Sequence, residues 1–170
     1  VDADAPPRMF KTLLHPDAQR SWAAVSLVAI DLRQVELHLV AGRHEPKAAT
    51  VEGRRAERTG LIPGGHRRAL LAAFNGGFKA EHGHWGMMVD GVTLLPARKG
   101  ACVIGQRQDG RMRIGPIDAL EPVLGDMRWW RQTPDCMVSD GELHVGLRSE
   151  KNTYWGATLK GETVLRRSAL

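Results

Sequence analysis

Apolar and polar residues alternate strictly along Gln34-Val35-Glu36-Leu37-His38-Leu39-Val40, which predicts a strand with one wet face. The apolar run at 22–32 just before it predicts another strand. The two read as an antiparallel pair turning near residues 31–33, with His38 on the polar face as an exposed strand histidine. Ahead of them, residues 1–20 carry prolines and aspartates and read as a surface segment. Residues 41–60 are polar and charged, a loop or one short helix. Pro63-Gly64-Gly65 breaks the pattern. Residues 66–73 open as a helical turn, and the apolar approach at 70–74 predicts a buried strand that delivers Asn75-Gly76-Gly77.

Beyond residue 86 the pattern changes to short apolar runs separated by Asp90-Gly91, Asp109-Gly110, Asp140-Gly141 and Lys160-Gly161, the signature of hairpins. The predicted pairings are 87–89 with 92–94, 101–106 with 111–114, 137–138 with 143–145, and 154–159 with 163–167. One short helix, interrupted by proline, is expected at 117–124. The fold class that follows is α+β and β-rich: twisted, mostly antiparallel sheets of hairpins with one or two short helices. Residues 21–170 read as a single domain behind the 1–20 surface segment. The last residues, 163–170, read as a strand that either lies inside a sheet or continues beyond Leu170.

A chain of 170 residues can bury a sizeable core. No apolar run nears the roughly 18 residues of a membrane span. The net charge of +5 attracts polyanions. Its arginines are scattered, however, and no zinc finger, RNP-like motif or recognition helix accompanies them, which argues against nucleic acid. Cys102 and Cys136 each sit in a strand-like run. Paired, they would close a loop of about 35 residues, worth roughly 3–4 kcal/mol in the chain-entropy model. Unpaired, they are two buried thiols. The pairing is the reading taken, and with it an oxidising compartment. The expected location is secreted or periplasmic, with any leader already removed.

The segment richest in candidate chemistry is Phe74-Asn75-Gly76-Gly77-Phe78. Glycine permits positive φ and close approach of main chain to a ligand. An asparagine amide carries both donors and an acceptor for a hydroxyl-rich partner. Lys79, His82 and His84 follow on the same loop and could line one cleft with it. His82-Gly83-His84 lacks a third ligand, so no metal is expected, and no cofactor either. Trp85 and Trp129-Trp130 are candidate sugar-stacking platforms, with a core or rim role the favoured reading.

Several of these segments, in order, resemble the phosphodiester glycosidase family. They are Phe74-Asn75-Gly76-Gly77-Phe78, Met88-Val89-Asp90-Gly91, the strand–Asp109-Gly110–strand element, Cys136-Met137-Val138-Ser139-Asp140-Gly141, and Arg167-Ser168-Ala169-Leu170. The resemblance covers about residues 61–170, the front part of the family domain. The family carries a further Asp-Gly-Gly-Gly-Ser segment that this chain lacks, so the missing segment of the same domain is an expected partner. The implied substrate is a glycan or sugar phosphate. Cleavage through an oxocarbenium-like transition state calls for carboxylates, usually two. Asp140 is the first choice by position and Asp90 the second. The phosphate calls for cations and backbone N–H donors. Arg167 is the leading candidate and Arg166 the lesser, because neighbours on a strand face opposite ways. Asn75, Gly76 and Gly77 would hold sugar hydroxyls or phosphate oxygens. The readings outside this class are a non-catalytic carbohydrate or cell-wall binding module and a polyanion-binding surface protein.

Overall fold

The computed structural model describes residues 6–148 and Trp155. The chain divides into two compact units, Val1–His38 and Leu39–Leu170.

In the first unit, β1 (Met9–Leu14) and β2 (Val25–Ile30) form an antiparallel ribbon, with Met9 opposite Ile30 and Leu14 opposite Val25. Asp17 shapes the connection: its Oδ1 accepts the amides of Gln19 at 2.9 Å and Arg20 at 3.0 Å. This ribbon corrects the pairing expected from the sequence. The partner of β2 lies upstream of it, inside the 1–20 stretch, and residues 35–40 form no strand. Asp31 is the physical reason. Its carboxylate binds the guanidinium of Arg33, the side-chain amide of Gln34 and the backbone N–H of Arg33. Its carbonyl also accepts from the amides of Gln34 and Val35. The chain therefore leaves β2 in a coiled turn, and not in the positive-φ geometry that folds a tight hairpin back on itself. The Arg33 guanidinium, then Gln34, hold the Asp31 carboxyl well below the ordinary carboxylate range.

The second unit is built on five antiparallel strands: β3 (Met87–Val89), β4 (Val92–Leu95), β5 (Cys102–Arg107), β6 (Met112–Pro116) and β7 (Met127–Thr133). Their spatial order is β4-β3-β7-β5-β6. The hairpins β3–β4 and β5–β6 form as their turns predict. Asp90 and Gly91 adopt φ of 49° and 80°, both left-handed, as a two-residue hairpin turn requires. A third hairpin, β8 (Val138–Ser139) with β9 (Glu142–Leu143), turns on Asp140 and Gly141 at φ of 52° and 82°. The expected pairing of 154–159 with 163–167 lies outside the described residues. Helix α1 (Val51–Arg55) is capped by Thr50, whose hydroxyl accepts the Gly53 amide at 2.9 Å and donates to the Thr93 carbonyl. That contact and the bond from the Ala49 amide to the Leu94 carbonyl cover the outer edge of β4. The expected helix at 117–124 is α2 (Ile117–Leu120) running into a 3-10 turn, Glu121–Asp126. The β-rich α+β class holds.

Two features depart from the sequence reading. Residues 70–74 are exposed and belong to no strand. In the sheet β3 is flanked by β4 and β7, and the outer edge of β4 is covered by residues 49–50, so residues 70–74 do not enter the ladder beside the loop they lead into. The central strand β7, by contrast, was not foreseen. It joins the two hairpins, pairing Met88 with Trp130 on one side and Gly105 with Trp130 on the other. Trp130 packs with Met88, Val103, Ile117, Leu120 and Met127 in the core. Gly105 faces it because nothing larger fits: a Cβ there would sit 2.9 Å from the Trp130 Cβ and on the Met127 sulfur.

Cys102 and Cys136 are joined in a disulfide that closes a loop of sequence separation 34. It ties the start of β5 to the chain just after β7, where the Cys102 amide already bonds the Pro134 carbonyl. Replacing both cysteines by serine should lower the unfolding free energy by about 3 kcal/mol, measured by urea denaturation, with the sheet retained by circular dichroism.

Candidate functional site

The candidate site is the loop 75–86, and its position is set by two buried polar residues of β7. Arg131 is 3% exposed and Gln132 is 0%. Burying such groups is costly unless their hydrogen bonds are made. Arg131 donates from Nη2 to the Phe78 carbonyl at 2.5 Å, and from Nη1 to the Trp85 carbonyl at 2.5 Å and the Gly86 carbonyl at 3.2 Å. Gln132 Oε1 accepts the amides of Gly86 at 3.0 Å and Arg98 at 2.8 Å, while its Nε2 donates to the Arg98 carbonyl at 2.9 Å. Two adjacent side chains thus hold both ends of the stretch 78–86 and the 98 turn. Desolvation lowers the Arg131 pKa to about 10, which leaves it charged at neutral pH.

Glycines make the fit possible. A Cβ on Gly77, which has φ +150°, would lie 2.6 Å from Arg131 Nε and 3.1 Å from Nη2. At Gly86 a Cβ would come within 2.6 Å of Gln132 Oε1 and 2.7 Å of the Trp130 ring. Between these points the chain makes a 3-10 turn, Ala80–His82, and passes through Gly83 at φ +124°. Trp85 folds back over Gly83 and donates its indole N–H to the His82 carbonyl at 3.1 Å. Arg98 stacks on the Trp85 ring with its Cζ 4.7 Å from the centroid, and donates to the Gly83 carbonyl. From outside the loop, Glu45 Oε2 accepts the Ala80 amide at 3.1 Å and the Lys47 amide at 3.2 Å. The Ala80 bond is the main reason its carboxyl titrates below the usual value.

The residues expected on this loop are on its surface. Asn75, Gly76, Lys79, His82 and His84 are exposed, and Gly77 is half-buried. Asn75 Oδ1 accepts the Gly77 amide at 3.2 Å, so part of the asparagine's hydrogen-bonding capacity shapes the turn itself. Lys79 Nζ and His82 Nε2 each lie 3.6 Å from Glu81 Oε1, so an ammonium and an imidazole meet on one carboxylate. His84 takes a left-handed backbone at φ 51°, and its amide bonds the Ala80 carbonyl.

Asp90 and Asp140 are exposed at the tips of two different hairpins, and no hydrogen bond or ion pair among the described residues joins either to this loop. Arg166 and Arg167 lie outside the described residues. Trp129 and Trp130 are buried, at 4% and 5% exposure, and serve the core; Trp85 has one face taken by Arg98. Among the described residues no group of three or more His, Cys, Asp or Glu side chains is placed to hold a metal ion. A hollow of about 320 Å³ belongs to the first unit, lined by Pro6, Pro7, Phe10 and Asp31 among others, and includes none of the candidates.

Sequence reasoning missed Arg131 and Gln132. The available signal was a long polar pair directly after two tryptophans and before Thr133-Pro134, in a run with no alternation, as a strand buried on both faces reads. It also missed the knot beside the disulfide. There, His144 Nδ1 accepts the Gly146 amide at 3.0 Å, its Nε2 lies 3.4 Å from Asp135 Oδ2, and its ring meets the edge of Trp155 at 5.2 Å.

No family model, curated protein or solved structure matches the chain.

Two outcomes follow from this geometry. Gln132→Leu strands the amides of Gly86 and Arg98 and should lower the unfolding free energy by about 2 kcal/mol or more in chemical denaturation. The Glu45 contact stabilises the loop only while the carboxylate is charged. Its folded pKa lies below the ordinary 4.5, so the contribution is complete above 4.5 and is lost as the pH falls through the lower folded value. The exchange protection factor of the Ala80 amide should fall over that range, and Glu45→Gln should lower it already at neutral pH.

Proposed function

We propose that this chain is a glycosidase that hydrolyses a sugar-1-phosphodiester or a related glycosidic bond of a cell-surface or polysaccharide substrate. The observation that carries the reading is the loop 75–86: an exposed Asn-Gly-Gly turn, followed by Lys79, His82 and His84, seated on a buried arginine. Backbone N–H groups, an asparagine amide and nearby cations are the donors that a sugar phosphate demands. In this reading Asn75, Gly76 and Gly77 meet the sugar hydroxyls or phosphate oxygens, and Lys79, His82 and His84 line the approach. Arg167, with Arg166 second, adds a guanidinium to the phosphate. The carboxylate roles go to Asp140 first and Asp90 second. The Cys102–Cys136 disulfide fits an oxidising compartment, and so a secreted or periplasmic protein. No described helix is long and apolar enough to cross a membrane.

One observation favours a second reading, a non-catalytic carbohydrate or cell-wall binding module. Asp90 and Asp140 both occupy left-handed turn positions, where aspartate serves the hairpin without any catalytic duty.

Turnover of a chromogenic α-N-acetylglucosaminyl phosphodiester by the intact natural protein tests the choice. Asn75→Ala and Arg167→Ala should each lower kcat/KM by about tenfold or more, a loss of about 1.4 kcal/mol of transition-state binding. The melting temperature of each should stay within about 3 °C of the parent. Saturable sugar binding without turnover favours the binding module, and absence of both removes the glycan reading.

A further inference from the structure

The structure gives a reason for Gly77 and none for Gly76. At Gly77 the backbone has φ +150° and a Cβ would strike the Arg131 side chain. Gly76 is not among the positive-φ residues, and a Cβ there would meet only the Leu39 Cδ1 methyl, at 3.4 Å. Neither backbone geometry nor packing demands glycine at 76. What this glycine does change is the chemistry of the asparagine before it. The Gly76 nitrogen can close a five-membered ring on Asn75 Cγ, and without a Cβ nothing crowds that approach. Of the two asparagines in the chain, Asn75 alone precedes glycine; Asn152 precedes Thr153, a β-branched residue.

The loop favours the closure in three ways. Asn75 and Gly76 are both exposed and belong to no helix or strand, so water and hydroxide reach them. The Gly76 N–H makes no hydrogen bond among the described residues, so no acceptor is given up when it loses its proton. The Gly77 amide donates to Asn75 Oδ1 at 3.2 Å, which curls the carboxamide forward over the Asn75-Gly76 peptide. That bond also polarises the side-chain carbonyl and aims a donor at the oxygen where negative charge develops during attack. The carboxamide NH₂ group has no partner among the described residues and is free to leave.

We propose that Asn75-Gly76 is a self-modification site, at which the asparagine converts without any enzyme to aspartate and isoaspartate. Hydroxide takes the proton of the Gly76 amide, and that nitrogen bonds to Asn75 Cγ. The bond from Cγ to the side-chain nitrogen breaks, and the nitrogen leaves as ammonia with a proton returned through solvent. The product is a cyclic imide. Water then opens the ring at either carbonyl. Opening at Cγ gives aspartate in a normal backbone, and opening at the main-chain carbonyl gives isoaspartate, with the chain routed through the side chain. One water enters, one ammonia leaves, and nothing is oxidised or reduced. Either product sets a carboxylate on the turn where a neutral amide stood. On the sugar-phosphate reading that charge repels the substrate, so the candidate site is turned off irreversibly as the protein ages. The conversion itself does not rest on that reading.

The test incubates the intact protein at neutral pH beside a synthetic peptide of residues 69–79. Trypsin releases the same segment from the protein, after Arg68 and after Lys79, and it holds no other side-chain amide. A mass gain that exchanges NH₂ for OH therefore reports Asn75 alone. The protein should gain it at a rate within about tenfold of the peptide's, a barrier difference under about 1.4 kcal/mol. The rate should rise with pH, and electron-based fragmentation should find isoaspartate in the product. Gly76→Ala should slow the reaction at least about tenfold. If that variant does not fold, the parent's rate and product decide. A rate more than about tenfold below the peptide's, aspartate as the sole product, or a folded Gly76→Ala variant as fast as the parent overturns the site. The readout is mass, so failure here leaves the glycosidase reading standing, and absence of turnover leaves the modification in place.

Discussion

The guanidinium of Arg131 supplies what the strand ladder cannot. Residues 78–86 leave the regular hydrogen-bonding pattern, yet their carbonyls at 78, 85 and 86 turn inward, where water does not satisfy them. A single planar cation with donors on several sides meets all three. Desolvating an arginine is expensive, and the three bonds offset that cost only while the carbonyls stay in place. The constraint therefore works both ways: the loop is held by the cation, and the cation is tolerable only because the loop surrounds it. Gly77 and Gly86 follow from this, since each marks a point where main chain must press against a β7 side chain.

Gln132 completes the arrangement by a different route. Its neutral amide uses one oxygen for two backbone donors and one nitrogen for a carbonyl, so it joins the end of the loop to the turn at Arg98. Both residues lie on the central strand, bonded to β3 on one side and β5 on the other. The disulfide fastens the chain three residues past β7 back to the start of β5. The loop thus rests on the part of the second unit with the most cross-links, while its own outer surface stays free for a ligand. An exposed loop on a cross-linked seat is the ordinary division of labour between loops and scaffolds.

Local signals were legible in the sequence, and non-local ones were not. The hairpins at Asp90-Gly91 and Asp140-Gly141 are specified by four residues apiece, because only a few residue types accept two successive left-handed conformations. The Asn-Gly-Gly turn was legible for another local reason: the asparagine side chain bonds the amide two residues on. The strand expected at residues 34–40 had the right alternation, but Asp31 coiled the preceding turn and β2 had already found β1. The apolar stretch 70–74 had strand composition but is exposed and pairs with no strand of the sheet. Strand β7 failed the alternation test because both of its faces are buried, so its polar residues sit inside. The seat of the site escaped notice because Phe78 and Arg131 are 53 residues apart and meet only through the β3–β7 pairing. No spacing rule connects two such positions before the strand order is known.

The choice of carbonyls as partners for Arg131 has an electrostatic consequence. A carboxylate beside the guanidinium would cancel its field and leave a neutral pair, worth little to an incoming anion. Carbonyl dipoles stabilise the cation without removing its charge, so the full positive charge stays beneath the Asn75-Gly76-Gly77 turn. The loop's acidic residues are arranged consistently with this. Glu45 spends its charge on backbone amides and Glu81 on Lys79 and His82, and neither reaches Arg131. In a partly desolvated setting an unneutralised charge acts more strongly than the same charge in water. A structural arginine needs only its hydrogen bonds. Arg131 has those bonds and no described counter-ion, so the loop is seated on a charge that its carbonyl dipoles solvate without neutralising.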